Sequence, residues 1–354
     1  MSIRINPEMV LLAREFRKFT QKKLATLLNI GQGTLSKIEN GFVTDIDDEV
    51  LDSLESILSF PRDFFLQVED LVGIGSSAYY YRKREKLTAT DRKWIHSVLN
   101  IKRLHLKKLL NSVDMQHQRT IPRLEICDYG NPSSVARALR GFWNLPDGPI
   151  RNLTNLLEDC GVLVLPCDFK TDAMDATSIW MADIPPMIFI NKDIPGDRWR
   201  FTLAHELGHL VMHEVPDENQ EDQADEFASE FLVPENEISY QFNEKLSLKK
   251  FSSLKTYWKV SIAALIVKAR KMDKINEYQY KYYFTSMSKM GYRKNEPNPI
   301  PREMPSSLEK LINVYREQMS YTDDELCKFI NISCDKDCNE LYGLNVRPKL
   351  VVVK

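Results

Sequence analysis

The sequence predicts a mostly α-helical protein with a small β-sheet, an α+β fold spread over more than one domain. Three observations predict it. Apolar residues recur at helical spacing in one segment after another, bounded by polar caps, glycines and prolines. Only two short apolar runs, Gly161–Leu165 and Met187–Asn191, have the length and character of strands. The 354 residues, 43% hydrophobic and 28% charged, suffice for two or three soluble domains with cores of their own. No stretch approaches the ~18 consecutive apolar residues of a membrane span, and the start, Met1–Pro7, lacks a signal-peptide core. No membrane partner is expected. Six cysteines, scattered at 127, 160, 167, 327, 334 and 338, suit a reducing compartment, so the expected location is cytoplasmic.

The first domain is expected over residues 1–70. Pro7 opens a helix running to about Phe19, and Thr20 caps a second through Leu28. Asn29-Ile30-Gly31 reads as a tight turn in which Gly31 takes positive φ. Gln32–Gly41 is a third helix closed by its glycine. Leu24, Ala25, Leu28, Ile30, Leu35 and Ile38 lock two helices across the turn, and further helices are expected near Val50–Leu58 and Arg62–Leu66. Along this whole length the segment resembles the XRE (lambda-repressor-like) helix-turn-helix domain. The resemblance implies five helices, with the third entering the major groove of double-stranded DNA. It also implies that Gln32, Thr34 and Lys37 read bases while Gln21 and Asn40 hold phosphates. Gly33 departs from the polar residue often found there and thins the readout. Residues 1–40 are rich in Arg and Lys, whereas Asp45–Asp70 is strongly acidic and would face away from DNA. A plain packing or protein-docking role is the alternative. Domains of this kind bind paired half-sites, so a homodimer is expected.

Residues 71–122 read as a linker and a long basic helix. Glycines and serines at 73–77 mark a hinge before Tyr79–Lys86, whose tyrosines and cations could grip nucleic acid but read better as a strand or cover. Thr88 or Thr90 caps a helix from Asp91 to about Asn111. Its basic face is a solvated surface, an extension of the DNA footprint or a dimer contact. Residues 116–122 form a second, polar linker.

The region 123–275 builds up as a helix over Pro132–Phe142, a loop, a helix over Ile150–Asp159, and the two strands, with Ala176–Met181 between them as a candidate sheet edge. Its organising stretch is Arg198–His213, which contains His205-Glu206-Leu207-Gly208-His209. In a helix begun by Asp197 as N-cap, His205 and His209 lie one turn apart and can reach one metal. Glu206 sits about 100° round the helix, able to act on a metal-bound water without being a ligand. Two buried histidines satisfying each other is the bland alternative, so a third ligand matters. Glu221 supplies one on the next helix, which Pro234 ends, and Asp225, one turn on, can accept a hydrogen bond from a ligating histidine. Glu218 is a weaker candidate, and His213 reads as a packed residue. Two imidazoles and one carboxylate suit zinc with a fourth position open to water.

These residues carry a second resemblance. Phe201–His213 followed by Glu221–Pro234 is similar to the ImmA/IrrE family of metallopeptidases, over roughly Asn152–Lys271. It implies a gluzincin-like zinc peptidase whose substrate is a regulatory protein, a repressor or antitoxin, in a stress or mobile-element response.

Leu254–Arg270 reads as helix, turn, helix, and as packing rather than a second DNA reader. Residues 276–354 form a helical C-terminal region of unreadable role. They include an aromatic, basic stretch, a proline-containing linker from Lys294 to Pro305 and two or three short helices. Cys327, Cys334 and Cys338 lack the spacing of a metal knuckle and read as small buried residues. The expected function is a DNA-binding zinc metallopeptidase that regulates transcription. The alternative is a repressor or antitoxin whose peptidase-like domain senses zinc, a ligand or a partner without turnover; such a sensor would not need Glu206.

Overall fold

A computed structural model describes residues 2–69, 71, 88–113, 117–171, 173–181, 184–214, 218–333, 335–342 and 344. The hinge glycines, Tyr79–Lys86 and the apolar end at 350–354 lie outside the described residues. The chain is mostly helical with two small sheets, and it falls into two compact units. The first comprises residues 1–74, 84–115 and 309–354; the second comprises 75–83 and 116–308.

In the first unit, strand β1 (Ser2–Arg4) pairs antiparallel with β2 (Asp45–Asp47), a sheet too short to show in the sequence. Around it stand α1 (Pro7–Phe16), α2 (Gln21–Leu27), α3 (Gln32–Glu39), α4 (Asp48–Leu58) and α5 (Arg62–Phe65). Asn6 caps α1 and Thr20 caps α2, each side chain accepting a first-turn N–H. The expected positive φ at Gly31 is corrected. Gly31 has φ −67° as the residue before α3, while Asn29 takes the left-handed conformation at φ 54°, which its short polar side chain tolerates. Gly41 closes α3 at φ 76°, as its position predicts. The core of Met9, Leu12, Leu24, Leu35, Leu51, Leu54 and Phe64 is completed by Ile101 and Leu104 of α6 (Ala89–Leu110), capped by Thr88.

In the second unit come α7 (Ile126–Tyr129), α8 (Pro132–Phe142), α9 (Leu153–Asp159) and a sheet of β3 (Leu163–Cys167), β4 (Ala176–Met181) and β5 (Ile184–Asn191). The strand order is β3-β5-β4, with β3 parallel and β4 antiparallel to β5, so Ala176–Met181 is an edge. Then follow α10 (Gly196–Met212), α11 (Gln220–Leu232), α12 (Glu235–Phe242), α13 (Leu248–Trp258), α14 (Ile262–Lys271) and α15 (Glu277–Lys289). The apolar faces of β3, β5, α10 and α11 share one core, including Val164, Ile188, Leu203, Leu207, Phe227 and Phe231.

The start of α10 differs from expectation. Pro195 is the cap position, and Asp197 stands inside the first turn, where it accepts from Lys255 Nζ at 2.6 Å. The proline-containing stretch is stapled to this unit. Glu303 accepts from Leu153 N and Thr154 N at the start of α9 and pairs with the buried Arg200; Glu296 accepts from Ile262 N at the start of α14. Gly196 is the tightest point, since a Cβ there would lie 2.1 Å from the Ile300 carbonyl oxygen. Gly196→Ala is therefore expected to destabilise this unit by about 1–3 kcal/mol or more, measured by denaturant unfolding. An unchanged midpoint would refute that packing.

Beyond it, α16 (Ser307–Asn313), a π-helical turn over Val314–Gln318, α17 (Asp323–Phe329) and α18 (Asp335–Tyr342) carry the chain back into the first unit. There Arg17 makes a bidentate pair with Asp337 at 3.1 and 2.6 Å, Tyr315 donates to Leu109 O at 2.7 Å, and His105 Nδ1 lies 2.8 Å from Tyr342 Oη. Cys327 and Cys338 are both buried, as expected, and are paired as a disulfide, which the sequence reading did not foresee. Cys334 lies outside the described residues.

Candidate metal centre

Helices α10 and α11 cross closely because small residues meet at the crossing. A Cβ on Gly208 would come within 3.1 Å of the Phe227 ring and 3.4 Å of Ala224 Cα. The stacked rings of Phe227 and Phe231 continue the seam. Polar anchors fix the orientation of α11. Glu226 accepts from Ser133 N and Oγ at the start of α8, and the buried Glu230 carboxylate is held by Lys268 at 2.5 Å and Arg137 at 2.9 Å.

This crossing brings His205, His209 and Glu221 together, with their ligand-type atoms all within 4.8 Å of one another. His205 Nε2 lies 3.0 Å from His209 Nε2 and 3.3 Å from Glu221 Oε2; His209 Nε2 lies 3.4 Å from Glu221 Oε1. Behind them, His205 Nδ1 is 2.7 Å from Asp225 Oδ1, the partner the sequence suggested. His209 Nδ1 is 2.9 Å from His213 Nδ1, and His213 Nε2 is 2.8 Å from Gln223 Oε1. The sequence reading missed Gln223; its one signal was a place on α11 two residues past Glu221.

These contacts assign the tautomers. Asp225 accepts, so His205 carries its neutral-state proton on Nδ1. Gln223 Oε1 accepts from His213 Nε2–H, His213 Nδ1 accepts from His209 Nδ1–H, and the lone pair of His209 Nε2 faces inward. With both histidines neutral, two imidazole lone pairs and a carboxylate thus converge with no hydrogen between them, a donor set that fits a cation. Buried Glu221 Oε1 and Glu206 Oε2 have no hydrogen-bond partner. Glu206 is 4% exposed and stands beside the cluster on α10.

Burial opposes charge on His205, but hydrogen bonds to Asp225 and Glu221 and the nearby Glu206 outweigh it and raise its pKa to about 10. Burial likewise pushes Glu221 up, and the two histidines overcome this and bring it down to about 2. The signs follow. The raised His205 contributes stability in full below its ordinary value of 6.5 and loses it as pH rises towards 10. Glu221 contributes above its ordinary 4.5, an effect lost as pH falls towards 2. A divalent cation must displace the His205 proton, so binding at neutral pH is expected to release a proton and tighten as pH rises towards 10. Titration calorimetry in buffers of different ionisation enthalpy measures this release; none at neutral pH would contradict it.

In the first unit, α3 presents Gln32, Thr34 and Lys37 exposed on one surface. The two carboxamides expected at phosphates are engaged internally. Gln21 Nε2 donates to Glu39 Oε2 at 2.7 Å, and Asn40 Nδ2 donates to Ser36 O at 2.7 Å. Glu39 also pairs with Arg14, a buried ion pair that the sequence reading did not identify. Phe42, just past α3, is 81% exposed.

The fold and the two sites define a chain that joins a helix-turn-helix DNA-binding domain to a metallopeptidase-type domain. Comparison with family models makes this specific. Residues 12–65 match a helix-turn-helix family, and residues 157–270 match a peptidase family described as the IrrE N-terminal-like domain. This is the fused XRE and ImmA/IrrE architecture expected from the sequence. No curated protein matches the chain. Among the described residues, no helix is long and apolar enough to cross a membrane.

Proposed function

We propose that this is a DNA-binding zinc metallopeptidase that regulates transcription by hydrolysing one peptide bond in a regulatory protein. The observation that carries it is the convergence of His205, His209 and Glu221 with a buried carboxylate, Glu206, left over beside them. Zinc held by those three residues would lower the pKa of a bound water and polarise the scissile carbonyl.

The chain's own groups do the rest. Asp225 holds the Nδ1–H of His205, and the His213–Gln223 pair holds that of His209, so both Nε2 lone pairs stay aimed inward. Glu206 takes the proton of the attacking water on its carboxylate and passes it to the leaving amine nitrogen. Strand β4, which packs on α10 and is an outer strand of its sheet, is where an extended substrate segment could add. In the first unit, Gln32, Thr34 and Lys37 read bases in the major groove, and two copies of the chain engage paired half-sites.

The test compares new protein N-termini in host cells carrying the wild-type chain or Glu206→Gln, with and without DNA damage. A regulatory-protein fragment seen only with wild type supports the reading and names the substrate. Matching profiles under every condition, with zinc and DNA binding intact, would leave a non-catalytic sensor instead.

A further inference from the structure

Two ties fix how β4 lies against α10. Just before the strand, Asp175 accepts from Arg198 Nε at 2.7 Å, near the start of the helix. At the strand's other end, the Arg123 guanidinium stacks on the Trp180 ring, 3.9 Å from its centroid, and Arg123 Nη1 donates to Leu210 O at 2.8 Å. From Arg198 to Leu210 the helix rises about 18 Å, and from Asp175 to Trp180 the strand rises about 17 Å. The two therefore run side by side in the same direction. His205, Glu206 and His209 fall between the ties, and His209 is the residue before Leu210. Ala176 and Trp180, which alternation puts on one side of the strand, both pack on the core that α10 shares. That side of β4 is the one turned to the helix.

We propose that Arg123 is a specificity-determining residue that selects an acidic side chain, Asp or Glu, in the part of the substrate lying beside Trp180. The inference rests on the reading of β4 as the strand to which the substrate adds. A residue paired beside Trp180 has its Cβ about 4.5–5.5 Å from that of Trp180 and on the same side of the sheet. Its side chain therefore meets the guanidinium stacked there. Arg123 is exposed, and Leu210 O and the Trp180 ring set the orientation of its fork. Nε and Nη2 donate to no described residue, which leaves that edge for a two-pronged carboxylate contact. Glu214 is the carboxylate whose charge reaches Arg123, and the two make no ion pair.

The test pans a short randomised peptide library, amidated at the C-terminus, on the zinc-loaded full chain carrying Glu206→Gln. Bound peptides are expected to share Asp or Glu at one position, and their Asn or Gln counterparts to bind about tenfold or more weakly. Adding Arg123→Gln, which keeps a donor for Leu210 O, is expected to erase that difference. Arg123→Lys keeps the charge without the fork and is expected to retain part of it. A purely structural Arg123 would lower the unfolding midpoint and leave the acid preference alone. If Arg123→Gln fails to fold, the acid–amide comparison and Arg123→Lys decide. No bound peptide, no shared acidic position, or a preference intact in Arg123→Gln overturns the proposal. So does a preference that moves to the chain end when the same peptides carry a free C-terminal carboxylate. Acid-dependent binding of peptides that the wild-type chain never cuts would sink the peptidase reading and leave the Arg123 contact standing.

Discussion

On the proposed function, Glu206→Gln is expected to slow hydrolysis of the protein substrate about 10²–10⁴-fold while leaving zinc content unchanged. The side chain is 4% exposed, so the change must preserve shape, and Gln does. What it removes is the basic oxygen. Among the described residues, Oε2 has no hydrogen-bond partner, so its loss strands no donor there. The proposed ligand atoms belong to His205, His209 and Glu221, and the groups that orient the histidines, Asp225, His213 and Gln223, are untouched. Turnover of the substrate named by the N-terminal comparison should therefore fall while elemental analysis reads the same metal stoichiometry. A variant within a few-fold of wild type would remove Glu206 from the chemistry. Loss of zinc together with activity would make its role structural.

Glu39→Ala is expected to destabilise the helix-turn-helix domain by about 3–5 kcal/mol, the usual penalty for stranding one member of a buried ion pair. Glu39 receives Arg14 in a two-pronged pair, with Nη2 to Oε2 at 3.1 Å, and Gln21 Nε2 at 2.7 Å. Arg14, 6% exposed, would keep its bond to Phe19 O at 2.8 Å and a looser 3.9 Å ion pair with Glu15. Because this carboxylate ties α1, α2 and α3 together, DNA affinity should fall with stability. Denaturant unfolding followed by a signal from the first unit measures it. A loss below about 1 kcal/mol would place the pair with weak, solvent-screened contacts.

Much of the candidate metal centre's arrangement was legible because its logic is local. His205 and His209 are one helical turn apart, and Glu221 and Asp225 repeat that spacing on the next helix, so two short windows held four residues. The Gln223–His213–His209 relay was not legible, since it depends on the angle at which two helices cross. That angle is set by the absence of a side chain at Gly208, visible only when Phe227 and Ala224 are seen against it. Similar reasoning covers the fold. Periodicity and caps marked most helices, though not Ile126–Tyr129 or Glu235–Phe242, and the three-residue strand Ser2–Arg4 had no pattern of its own until Asp45–Asp47 lay beside it. The Gly31 expectation failed because a glycine and an asparagine two residues apart could each supply the left-handed residue, and composition favoured the wrong one. The role of Gln21 was obscured for a different reason: its partner Glu39 lies 18 positions away.

Arg17 and Asp337 are 320 positions apart in sequence, and the pair they form belongs to the unit that carries the DNA-reading helix. A ribosome releases about 5–20 residues per second from the N-terminus onward. The five N-terminal helices emerge early, but Arg17 waits for Asp337, and His105 and Leu109 of α6 wait for Tyr342 and Tyr315, until the whole intervening peptidase unit has left the tunnel. Synthesis thus imposes an order: a chain stalled or degraded midway can contain a finished peptidase fold, but never the complete first unit without one.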